Sequence, residues 1–120
     1  MPQPTTTPAP TPVPQPDVAI VDIFNSGYAE HVVIRNRGGA PADLSGWWLA
    51  EEDHTVSPFT FPAGYILAPG AEVRIYSGAK GREHNPPFSF DWTEQNVWDN
   101  DGETAQLFDA QGNLVSEYHY

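Results

Sequence analysis

Oxygen-bearing side chains crowd one stretch of the chain. Asp91, Glu94, Asp99, Asp101 and Glu103 lie within it, with Asn96 and Asn100 and no basic residue. Hard divalent cations take roughly six to eight oxygen ligands, and Asp99-Asn100-Asp101-Gly102-Glu103 has the Asp-x-Asp-Gly texture of a calcium loop. Asp99, Asp101 and Glu103 are therefore the residues at which calcium would bind. The ordered ligand spacing and closing Glu of an EF-hand are absent, so the plain alternative is a solvated acidic turn. No other cofactor is expected.

Aromatic side chains offer a second kind of chemistry. Trp47 and Leu49 share one strand parity, whereas Trp48 has the other; Tyr76 and Phe108 also fall on outward parities. Flat rings on a sheet face bind sugars or partner proteins, which makes Trp48, Tyr76 and Phe108 the candidate binding residues. Against this, a tryptophan is seldom left in open solvent, and Trp48 could pack beneath a loop or a neighbouring strand.

Catalysis finds little support. The histidines His31, His54, His84 and His119 are widely spaced, and neither His-Glu-x-x-His nor Gly-x-Ser-x-Gly occurs. Cysteine is absent, which removes thiol catalysis, disulfides and thiolate metal sites together. The expectation is a domain that is not an enzyme.

The elements that carry these residues are short. Residues 1–16 read MPQPTTTPAPTPVPQP, with proline at every second position except across Thr5–Thr7. Proline fixes φ and removes the amide donor, so this stretch reads as a flexible, polyproline-II-like linker of roughly 3.1 Å per residue. Such Thr/Pro tracts join modules in exported bacterial proteins, and Met1 leads into it without a basic or apolar leader, as in a cut made inside a longer protein. A folded domain is expected over residues 17–120. It contains no run of about 18 apolar residues, so no membrane-spanning helix is expected.

From Asp17 the texture changes to alternating apolar runs broken by Gly, Pro, Asn and Asp. Val18 to Phe24, Glu30 to Arg37, Glu72 to Ser77, Thr104 to Asp109 and Leu114 to Tyr120 all read as strands. Val56–Phe61 and Tyr65–Leu67 suggest a hairpin across Pro62-Ala63-Gly64, and residues 78–89 a long loop. Roughly seven to nine strands with turns about every ten residues imply an all-β sandwich or barrel.

Five segments, in order, resemble the lamin tail domain family. They are His31-Val32-Val33-Ile34-Arg35-Asn36-Arg37-Gly38, Ala42-Asp43-Leu44-Ser45-Gly46-Trp47-Trp48-Leu49, Phe59-Thr60-Phe61-Pro62, Leu67-Ala68-Pro69-Gly70, and Val97-Trp98-Asp99-Asn100-Asp101-Gly102-Glu103-Thr104-Ala105-Gln106-Leu107. In the last, Asp99 and Glu103 stand where the family usually has Asn and Asp. The resemblance implies an immunoglobulin-like β-sandwich with Greek-key-type antiparallel sheets, and it brings no catalytic residues. Leu44, Trp47 and Leu49 would fill the core, and the inward parity of Asn36 directs its amide to loop backbone.

Function follows from these pieces as an expectation. The reading is a non-catalytic accessory interaction module of a secreted or cell-surface bacterial protein, binding protein or extracellular polymer and monomeric in isolation. A carbohydrate-binding module and a purely structural spacer are the alternatives. Nucleic acid is disfavoured by the net charge of −11, as is a membrane surface, although Arg35, Arg37 and Arg74 could share a sheet face.

Overall fold

The structure is a computed structural model and describes residues 12–98 and 102–120. Ten strands are formed: β1 (Val18–Phe24), β2 (His31–Asn36), β3 (Ala42–Asp43), β4 (Trp48–Glu51), β5 (Phe59–Thr60), β6 (Ile66–Leu67), β7 (Glu72–Ser77), β8 (Ser89–Thr93), β9 (Thr104–Phe108) and β10 (Leu114–His119). They build an immunoglobulin-like sandwich. One sheet has the order β1-β2-β7-β8, the facing sheet the order β10-β9-β4-β5, and β3 and β6 form a small third pair. Pairing is antiparallel except between β7 and β8, which run parallel. No helix occurs among the described residues, and hence none long and apolar enough to cross a membrane.

Alternation decides which side chains meet between the sheets. Val32, Ile34, Val73 and Ile75 from one sheet, and Leu49 and Leu107 from the other, are fully buried. Strand β1 shows how a local irregularity corrects a pattern. Val18 and Ile20 face inward, and strict alternation would then bury Asp22. A bulge between Ile20 and Asp22 shifts the register, so Ile23 is buried and Asp22 is exposed.

The expected hairpin across Pro62-Ala63-Gly64 does not form. β5 pairs with β4, while β6 pairs with β3, so the turn carries the chain out of one sheet and into the small third one. The Tyr65 N–H donates to Pro62 O within this turn, and the Leu44 N–H donates to Tyr65 O beyond it. Period-two patterning marks each segment as extended but does not say which neighbour an extended segment joins.

The buried Asn36 ties one end of the sandwich together. Its Nδ2 donates to Ala40 O and Leu67 O at 2.8 and 3.0 Å, and its Oδ1 accepts from the Gly38 and Asp17 N–H groups at 3.0 and 3.1 Å. This is the loop-backbone role its parity suggested. Beside it the chain from Pro14 to Pro16 lies against Gly38 and Gly39, and the Gly39 N–H donates to Gln15 O at 3.0 Å. A Cβ on Gly38 would sit 2.1 Å from Gln15 O, so only glycine permits this approach. Contact with the domain therefore begins at Pro14, ahead of the Asp17 boundary read from composition. Residues 1–11 of the tract lie outside the described residues.

Candidate functional site

Two features stand out once the sheets are in place. The first is on the outer face of the β10-β9-β4-β5 sheet. Trp48 and Phe108 are direct cross-strand partners, with ring centroids 3.9 Å apart and planes 12° from parallel. Phe108 is also opposite Leu114, and Trp48 is opposite Thr60. One row thus crosses all four strands as Thr60, Trp48, Phe108 and Leu114. Leu49 and Leu107, the inward neighbours of the two rings, are fully buried and hold β4 and β9 in register beneath them.

The row is open at its β10 end, where Leu114 is 51% exposed. Trp48 and Phe108 are half-buried, because each ring covers a face of the other. Asp109 follows Phe108 directly. Hydrogen bonds from the Asn113 backbone, and then from its side chain and from the Gln111 and Gly112 backbone, hold its carboxyl below the usual range, so the platform's edge stays anionic. Leu114 belongs to the platform although Trp48 and Phe108 alone were singled out there. The signal was its position across the Asp109–Asn113 turn, directly opposite Phe108.

Tyr76 does not join them. It lies in β7 of the other sheet, is 3% exposed, and packs against His31 with ring centroids 4.8 Å apart. His31 in turn stacks on Phe24 at 5.3 Å. Outward parity was read as exposure, but β7 is an inner strand whose neighbours on both sides, His31 and Asp91, flank the ring.

Asp99 and Asp101 lie outside the described residues, so their part in a calcium loop has no geometry here. Glu103 is buried, at 7% exposure, and its backbone carbonyl accepts the Tyr120 N–H. Among the described residues no group of three or more His, Asp or Glu side chains gathers as a metal site. Of the arginines on the β1-β2-β7-β8 sheet, Arg35 pairs with Glu72 at 3.0 Å and Arg37 with Asp17 at 3.5 Å, which offsets two of the three charges proposed for a basic face. Thr104 Oγ1 and His119 Nδ1, 2.8 Å apart, bridge β9 and β10 as cross-strand partners.

The second feature is a cavity of about 540 Å³ that sequence reasoning missed. Phe59, Tyr65 and Phe90 form its floor, and Pro62, Pro86 and Pro87 its walls. The floor rings pack on one another, Tyr65 against Phe90 at 5.3 Å and Phe59 against Phe90 at 5.5 Å. The Tyr65 hydroxyl donates to Pro87 O at 2.7 Å, fastening the wall to the floor. Its residues come from β5, β8 and the two loops before Tyr65 and Ser89, which only tertiary structure brings together.

Burial pushes the Tyr65 hydroxyl up to about 12. A raised pKa means the unfolded state loses its proton first, so this contribution to stability is intact below pH about 10 and falls as pH rises toward about 12. Tyrosinate absorbance should therefore show one late-titrating tyrosine. Tyr65→Phe should abolish that late step and flatten the alkaline loss of stability in urea melts at successive pH values; an unchanged late step would refute the assignment.

The sandwich topology agrees with what the resemblance of the five sequence segments implied. A family model described as Lamin Tail Domain matches residues 11–120, nearly the whole chain. The chain belongs to the lamin tail domain family.

Proposed function

We propose that this domain is a non-catalytic accessory interaction module of a secreted or cell-surface multidomain protein, and that it presents the Trp48–Phe108–Leu114 row to a protein or extracellular polymer. The observation that supports it most is that row, which combines stacked rings with an exposed apolar residue on a sheet otherwise faced with polar groups such as Gln106 and Glu117. Aromatic and aliphatic side chains aligned on a rigid face are the usual anchors of interaction surfaces. The net charge of −11 favours partners that are neutral or basic over nucleic acid. No calcium is needed for this role.

The near-parallel rings favour one second reading, a carbohydrate-binding module, because a flat aromatic surface can stack on a sugar ring. Affinity electrophoresis through cellulose, chitin and xylan separates the two. Retardation that disappears in Trp48→Ala identifies a sugar platform. Free mobility in all three, with a cell-surface protein captured by the wild type and lost in Trp48→Ala and Leu114→Ser, identifies a protein partner. If neither substitution changes any binding, the platform reading fails. Trp48→Ala should itself cost only about 0.5–1.5 kcal/mol beyond lost burial, the usual worth of an aromatic pair.

A further inference from the structure

Positive charge is confined to one half of the sandwich. Arg35 is in β2, Arg37 follows it, Arg74 is in β7, and Lys80 and Arg82 lie in the connection from β7 to β8. All five basic residues thus belong to the β1-β2-β7-β8 sheet, and three are answered there by carboxylates. Arg35 meets Glu72 at 3.0 Å, Arg37 meets Asp17 at 3.5 Å, and Arg82 meets Asp91 and Glu94 at 3.2 and 3.6 Å. Residues 38–73 and 83–120 contain neither Lys nor Arg. Every strand of the β10-β9-β4-β5 sheet falls within those ranges, so its carboxylates find no basic side chain on their own sheet.

Two of these carboxylates frame the Trp48–Phe108–Leu114 row. Glu117 stands in the next row of the same face, opposite Gln106, which is opposite Ala50, roughly 7 Å along the strands. It is exposed, and its Oε2 accepts from Gln106 Nε2 at 3.1 Å, which steadies the carboxylate over the sheet without neutralising it. On the other side Asp109 follows Phe108, and its Oδ1 accepts the Gln111 and Asn113 N–H groups at 2.9 Å each. Along the strand direction the row therefore has a carboxylate before it and another after it.

Charge complementarity then decides the class of occupant. An apolar row alone would accept any hydrophobic side chain. Carboxylates beside it lose hydration when a partner covers them, and that loss is offset only if the partner brings positive charge. Arg and Lys meet both demands in one side chain, because the methylene stem packs on apolar surface while the head reaches a carboxylate. A neutral glycan would use the carboxylates only as hydrogen-bond acceptors. We infer, resting on the platform reading above, that the ligand of this face is a basic polypeptide segment whose Arg or Lys stems lie on the Trp48–Phe108–Leu114 row with their charges at Glu117 and Asp109.

The test uses the full chain and fluorescein-labelled peptides of about eight residues, alternating serine with arginine or serine with glutamate. It is run at about 0.15 M salt, where a Debye length of about 8 Å screens distant charges and leaves contacts at the row. Anisotropy should show saturable binding of the arginine peptide and none of the glutamate peptide. Glu117→Gln keeps an acceptor for Gln106 and removes one charge, so it should weaken binding at least about threefold with the melt unchanged. Glu83→Gln removes one charge from an exposed position in the β7–β8 connection and should leave affinity within about twofold of wild type. Leu114→Ser should weaken binding at least about threefold by removing the surface on which a stem packs. The inference is overturned by absence of saturable binding, by equal losses in Glu117→Gln and Glu83→Gln, or by wild-type affinity in Leu114→Ser. If the arginine peptide does not bind but Trp48→Ala still abolishes binding to a glycan or a cell-surface protein, the inference falls and the platform reading stands. If Trp48→Ala and Leu114→Ser change no binding of any kind, both fall.

Discussion

Asn36→Ala should lower the free energy of unfolding by about 3–5 kcal/mol, as much as truncating a large core side chain. The side chain is fully buried and makes four hydrogen bonds to backbone, to Ala40 O, Leu67 O, Gly38 N and Asp17 N. Alanine removes both halves of the amide at once. It strands two carbonyls and two N–H groups, and it leaves a void where three chain segments converge. Each buried unpaired group costs about 1–3 kcal/mol, and those nearer the surface recover part of this from water. In a domain of this size the loss corresponds to a fall in melting temperature of roughly 12–25 °C.

A second variant identifies the cause. Asn36→Asp keeps the shape and the Oδ1 acceptor but turns the donor face into an oxygen opposite Ala40 O and Leu67 O. It should be as damaging as alanine at neutral pH and should recover in part as the pH is lowered, because the protonated carboxyl has one O–H to donate to one of the two carbonyls. Urea melts at several pH values check both. An alanine variant losing less than about 1 kcal/mol would mean that solvent replaces all four bonds.

Glu30→Ala should cost about 2–4 kcal/mol. Glu30 is 2% exposed, yet its Oε1 accepts from the Ser77 hydroxyl and from the Val97 N–H, each at 2.8 Å. It therefore latches the end of β7 to the segment carrying Val97 and Trp98, both buried in the core. Trp98 also packs near Trp92, with ring centroids 6.1 Å apart. Releasing the latch should speed amide exchange at Val97 and expose tryptophan, seen as red-shifted fluorescence before the main unfolding transition. Glu30→Gln retains an oxygen acceptor at the same place and should lose less than half as much. If the glutamine variant is as unstable as the alanine one, the negative charge rather than acceptor geometry holds the latch.

Neither residue advertised itself equally. Asn36 was legible, because an amide at an inward position of a strand must find backbone partners or destabilise the core. Glu30 shared that inward parity at the start of the same expected strand, but its partners Ser77 and Val97, 47 and 67 residues away, could not be read. The platform divides in the same manner. Trp48 and Phe108 were marked by parity, whereas their meeting at 3.9 Å required β4 and β9 to pair in one particular register. Tyr76 had the same outward parity and is buried, because an inner strand's outward side chains are flanked from both sides.

What the sequence by itself determined is the all-β class, the extended segments from Val18 onward, the inward positions of Val32, Ile34, Asn36, Val73 and Ile75, and the segments that mark the family. These follow from alternation and turn chemistry, which act over a few residues. Tertiary structure alone decided that β5 joins β4 while β6 joins β3, that a bulge in β1 exchanges Asp22 for Ile23, and that Tyr65, Pro87 and Phe90 enclose a groove. The physical reason is range. A period of two fixes which face a side chain takes, but its neighbours across the sheet, and hence its burial and its chemistry, depend on segments tens of residues away.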